Sequence, residues 1–134
     1  MGRANTTELT GTCAIAVDPP PRLLLCDKIF RFHFKPNAQI DTRYLDYALK
    51  SKARREQIEA AATGTSSSMK NISKDKVLRL RLPLPPLPEQ RRIVAHLEGI
   101  RAKADILRRL QAESATELDA LLPAVLERAF KGAL

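Results

Sequence analysis

Between Val77 and Glu89 the hydrophobic period of the chain changes from that of a strand to that of a helix. Leu78, Leu80, Leu82 and Leu84 alternate with Arg79, Arg81 and Pro83. This alternation predicts a strand with one dry face and one basic face. Pro85, Pro86 and Pro88 cannot continue a ladder because they carry no donor N–H. Pro88 suits the first turn of a helix, and Glu89 sets negative charge near its N-terminus. From Glu89 the pattern stays helical almost to the C-terminus. The chain is therefore expected to fold as a small module fixed to one very long helix.

The helix carries its own demand. Ile93, Leu97, Ile100, Ala104, Leu107, Gln111, Ser114, Leu118, Leu121 and Val125 recur by fours and threes. That is a coiled-coil seam with a polar middle, and Gln111 and Ser114 there could fix its register. One helix from Glu89 to Phe130 would be roughly 63 Å long, more than the module can cover. A partner helix is expected on the uncovered length, the alternative being a helix folded back on its own domain. Pro123 should interrupt the helix, leaving Leu118, Leu121, Leu122, Val125, Leu126 and Phe130 to a short terminal piece.

Before Glu89 the expected fold class is a small α/β (α+β) module. Strands are predicted near Leu9–Val17, Lys28–Lys35 and Val77–Leu84, with a helix near Asp41–Ala62 capped by the Asp41 carboxylate. Phe30, Phe32 and Phe34 share one face, read as core, against a basic stripe of Arg31, His33 and Lys35. Tyr44, Leu45, Ala48, Leu49, Ile58 and Ala61 supply the helix's buried side. The KSKARR run at 50–55 is either a solvated face or a phosphate contact. Gly64 is the candidate C-terminal cap, Ile72 a core anchor and Ser73 a cap for the following turn.

A chain of 134 residues is one domain, or one small domain and an extension. Its net charge of +8 favours a polyanionic partner, nucleic acid first, over a merely basic soluble protein. Cys13 and Cys26 fit no metal spacing and read as reduced, buried thiols. No segment approaches the roughly 20 apolar residues of a membrane span, and no signal peptide is legible, so a cytoplasmic protein is expected. Ser66, Ser67 and Ser68 raise the question of a nucleophile, but His33 and His96 stand in no triad-like pattern with a carboxylate. No phosphate-binding loop, methyltransferase motif or metal-ligand cluster appears. The residues point to no catalysis, no cofactor and no metal.

Gly64 to Asn71 reads GTSSSMKN. Asn can pair with adenine, serine and threonine hydroxyls with bases or phosphates, and lysine with guanine or phosphate. The same composition suits an ordinary surface loop.

The loop, the Leu/Arg alternation, PPLPEQ, RRIV, the long helix and the closing AFKGAL resemble the specificity subunit of type I restriction-modification systems. The likeness runs from about Arg3 to Gly132. It implies that residues 1–86 are part of a target recognition domain. Residues 87–134 would then be its conserved spacer and dimerisation helix, broken near Pro123. The family's recognition domain has a longer N-terminal part, so a partial subunit is expected. The resemblance assigns DNA recognition and scaffolding, with methylation and cleavage in other subunits. It brings Gly64, Thr65, Ser66, Ser67, Ser68, Lys70 and Asn71 near DNA. It implies double-stranded DNA, a methyltransferase (modification) subunit, and a second copy or another specificity half as partners. Two other readings stay open: a helix-mediated assembly protein that no longer reads DNA, and a generic basic nucleic-acid-binding module.

Overall fold

The protein is described from a computed structural model, in which residues 1–132 are described. Its elements run β1 (Ala4–Asn5), α1 (Thr42–Lys50), α2 (Lys52–Ala61), β2 (Lys70–Asn71), α3 (Lys74–Leu78) and α4 (Leu87–Phe130). β1 and β2 pair antiparallel, Ala4 opposite Asn71 and Asn5 opposite Lys70. Isolated bridges join Gly2 to Ile29 and Thr63 to Asn71. A small mixed module followed by a long C-terminal helix is thus the architecture, with helix far outweighing strand. The chain divides into two compact units, Met1–Val94 and a second starting at Ala95. The first two turns of α4 fall in the first unit, where Gln90 and Val94 are buried.

The module's core is Met1, Leu45, Leu49, Ile58 and Ile72, with Phe30, Ile40, Val77, Leu80 and Leu82 packed against it. α1 and α2 meet through the apolar sides of their turns, Leu45 and Leu49 from one and Ile58 from the other. Gly11 lets the turn after β1 approach them closely. A Cβ there would lie 2.3 Å from Ile58 Cγ2, and its φ of +77° is one that L side chains rarely adopt. Arg55 fastens the same turn from the helix side, donating to the carbonyls of Thr10 and Glu8 at 2.9 Å each. This member of the basic run is therefore spent on structure.

Asp41 caps α1 as expected, its Oδ1 accepting the N–H groups of Arg43 and Tyr44 at 2.9 and 3.1 Å. The expected helix over Asp41–Ala62 is two helices instead. Ser51 breaks it at ψ 147°, where both its N–H and its hydroxyl turn back on the Ala48 carbonyl. A serine that bonds its own backbone offers an alternative to the helix ladder. Ala62, not Gly64, is the C-cap of α2, and Lys76 Nζ donates to the Ala61 carbonyl at 2.7 Å.

The three expected strands do not form. Leu9–Val17 is turn and irregular chain, and Lys28–Lys35 contributes a single bridge at Ile29. A strand needs a neighbour to take its hydrogen bonds, and Met1–Arg3, which bonds to Gly11, Thr12, Lys28 and Phe30, is too short to extend either segment into a ladder. Phe30 does reach the core, but Phe32 and Phe34 remain exposed. Cys13 is half-buried and Cys26 exposed, against the expectation of two buried thiols. At Val77–Leu84 the Ser73 hydroxyl caps α3 and draws Val77 and Leu78 into a helix. Beyond it, Leu80 and Leu82 still turn inward while Arg79 and Arg81 stay outside, so the alternation sorts side chains without a ladder.

In the second unit the helical backbone passes through Pro123 without interruption, against the expected break. The missing N–H releases only the Asp119 carbonyl, which water can satisfy on an exposed helix. No helix among the described residues is long and apolar enough to cross a membrane.

Candidate nucleic-acid interface

The loop Gly64–Met69 rises from a closed base. Thr63 and Asn71 exchange both backbone hydrogen bonds at 2.8 Å, and Lys70 Nζ donates to the Gly64 carbonyl at 3.1 Å. Gly64 is forced by this closure: its φ is +153°, and a Cβ would stand 2.1 Å from the Met69 carbonyl oxygen. On the far side, the Thr7 N–H donates to the Ser67 carbonyl at 2.9 Å. Ser66 and Ser68 pair their hydroxyls at 3.0 Å. Every residue from Gly64 to Met69 is exposed. The result is a solvent-facing hydroxyl loop whose backbone is tied at both flanks.

Asn71 sits where the loop rejoins the sheet, and Arg3 holds it. Arg3 Nε donates to Asn71 Oδ1 at 3.3 Å, while Nη1 reaches the Asp27 carbonyl at 3.4 Å. The guanidinium lies 5.8 Å from the Phe30 ring centroid, within cation–π range. Sequence reading passed over Arg3 because its partners lie 24 and 68 positions away. Of the expected loop residues, Gly64, Thr65, Ser66, Ser67, Ser68, Lys70 and Asn71 all lie in or at the foot of this one structure. Lys70 and Asn71 each spend a polar group inside it.

A second latch was also missed. The Gln90 carboxamide is fully buried yet fully used: Oε1 accepts the Asp41 N–H at 2.8 Å, and Nε2 donates to the Gln39 and Pro85 carbonyls at 3.0 and 2.7 Å. Tyr44 adds a hydroxyl bond to the Pro83 carbonyl at 2.9 Å. The proline turn thus leaves carbonyls free to accept, and the residue after Glu89 gathers one of them. Glu89 itself forms a bidentate pair with Arg92 at 2.8 and 2.7 Å, and this bond holds its carboxyl below the ordinary value.

The seam residues stand on α4 in the expected order. Ile93 and Leu97 are half-buried. Beyond them Ile100, Leu107, Gln111, Ser114, Leu118, Leu121 and Val125 are exposed, Leu107 at 60% and Leu118 at 68%, while the smaller Ala104 is half-covered. Ile106, Leu110, Leu122, Leu126 and Phe130 widen the exposed apolar surface. Ion pairs such as Arg108–Asp105 at 2.9 Å and Arg109–Glu113 at 3.6 Å run along the helix itself.

A small mixed module, a tied hydroxyl loop and a proline turn into a long helix describe a recognisable class. The family model for the type I restriction modification DNA specificity domain matches residues 5–113, and the chain belongs to that family. It is 29% identical over 128 residues to the type I restriction enzyme EcoEI specificity subunit of Escherichia coli. That alignment covers 92% of this chain and 21% of the relative. It is also 29% identical over 109 residues to the StySPI specificity subunit of Salmonella potsdam, covering 81% of this chain and 23% of the relative. The chain therefore spans about a fifth of the length of the curated relatives it matches. No solved structure matches it.

Proposed function

We propose that this chain is a non-catalytic component of a type I restriction-modification complex that recognises DNA sequence and scaffolds the assembly in the cytoplasm. The observation that carries the reading is the exposed Gly64–Met69 loop, tied at both flanks, on a chain of net charge +8. A fixed loop of hydroxyls beside an asparagine offers base-edge donors and acceptors at low ordering cost. Its partners are double-stranded DNA and a methyltransferase (modification) subunit, which brings the chemistry. Residues 1–86 form the recognition module and 87–134 the spacer helix, paired with a second copy or another specificity half through Ile93 to Val125.

Selection from randomised duplexes at two salt concentrations tests this. A specific reader enriches particular sequences and loses affinity as salt rises. Salt-sensitive binding without enrichment would point to a generic basic module. Helix-mediated association without DNA binding would point to an assembly protein, the reading that the exposed seam of α4 favours.

A further inference from the structure

Between the Cys13–Phe34 stretch and α1 lies a groove of about 840 Å³, with Ile15, Leu23, Phe30, Phe32, Leu45 and Leu49 in its walls. Its rim is unpaired. The Phe30 N–H donates to the Met1 carbonyl at 2.8 Å, but Arg31 to Phe34 neither donate nor accept a backbone hydrogen bond among the described residues. Phe32 and Phe34 are 37% and 42% exposed, their rings stacked with centroids 6.4 Å apart. Two aromatic side chains at alternate positions beside free backbone groups have the makings of a sheet edge without a neighbour.

Asp46 lines the groove from α1. Its Oδ2 pairs with Lys50 at 2.6 Å, whereas Oδ1 is buried and accepts no hydrogen bond from the chain. Charge narrows the occupant further. Arg31 belongs to the groove and alternates with Phe32, followed by His33 and Lys35. A second copy of this segment would set cation directly against cation, which is destabilising across a strand pair. An incoming strand with carboxylates at alternate positions reverses that sign.

We infer that Arg31–Lys35 is an acceptor edge for an extended, acidic segment of another polypeptide. The segment adds as a β-strand, with apolar side chains in the groove and carboxylates toward Arg31, His33 and Lys35. The two-residue period of a strand separates the apolar from the acidic demand. This inference is independent of DNA reading.

The test titrates the full chain into a fluorescein-labelled hexapeptide of alternating Val and Glu, read by anisotropy. Saturable binding is expected, weakened about tenfold or more by Phe32→Ala with Phe34→Ala, the loss typical of a central aromatic anchor. Replacing the peptide's Glu by Lys, or methylating its backbone nitrogens, should abolish binding. Equal binding of the N-methylated peptide would mean apolar adsorption and overturn strand addition. Preference for the Lys peptide, or no binding to wild-type chain shown folded by circular dichroism, would overturn the inference as well. So would self-association removed by the two alanines, since a second copy would then be the occupant.

Discussion

Gln90 accepts the backbone N–H of Asp41 at 2.8 Å, and Asp41 in turn accepts the N–H groups that open α1. In an ordinary capping box the reciprocal bond to the cap residue comes from a glutamate or glutamine three residues on. Here it comes from 49 residues on, out of the first turn of the long helix. The start of α1 and the start of α4 are therefore one hydrogen-bonded structure, and PPLPEQ is the segment that builds its second half.

Gln90→Leu keeps the volume but strands the Asp41 N–H and two carbonyls in a buried site. A loss of about 3 kcal/mol is expected, since buried groups left without partners cost about 1–3 kcal/mol each and part of that is relieved by relaxation. Urea denaturation should show a lower midpoint with unchanged slope. Gln90→Glu should be worse near neutral pH, because a carboxylate would then face the Gln39 and Pro85 carbonyls.

Gly64→Ala should reshape the loop and leave the core intact. The added methyl has no room beside the Met69 carbonyl, so the Thr63–Asn71 pair must open. Hydrogen exchange at the Thr63 and Asn71 amides should accelerate while the α1 amides keep their protection. If the loop reads DNA, sequence enrichment is lost with them.

Lys70→Ala and Asn71→Ala should differ in kind. Loss of the lysine weakens binding to all duplexes and lowers the salt slope by about one unit. Loss of the asparagine costs roughly 1–3 kcal/mol of discrimination at one position. Because Asn71 also holds Arg3, Arg3→Ala is the control: it should loosen the loop without selecting a single base position.

Leu107→Asp with Leu121→Asp places charge on the exposed seam. If the helix pairs, these variants should sediment as monomers at concentrations where the wild type associates. Both side chains are more than half exposed, so the module should keep its fold. A wild type that is itself monomeric at tens of micromolar would remove the pairing reading.

Acid should loosen the start of α4. The Arg92 hydrogen bond lowers the Glu89 carboxyl below its ordinary 4.5, so folding is favoured by the ionised form. That contribution is full above 4.5 and disappears as pH falls through the lowered value. The difference in urea midpoint between the wild type and Glu89→Gln should therefore be present at neutral pH and vanish on acidification.

The long helix was legible from sequence because its information is local: proline at the start, glutamate in the first turn, and a repeat that any helix of that length must present on one side. The Asp41 and Ser73 caps were legible for the same reason, since a cap bonds within a turn of itself. The tied loop was legible in composition, though not in how it is tied. Strand positions were not. Alternation states which side chains turn inward, as Leu80 and Leu82 do, but a ladder exists only where another segment lies alongside, and that is a property of the folded chain. The same holds for Arg3, Arg55 and Gln90. Each is an ordinary polar residue in its local sequence, and each owes its role to carbonyls or amides many positions away. Sequence alone determined the periods and the caps of this protein; tertiary structure decided which backbone groups were left to be satisfied, and by whom.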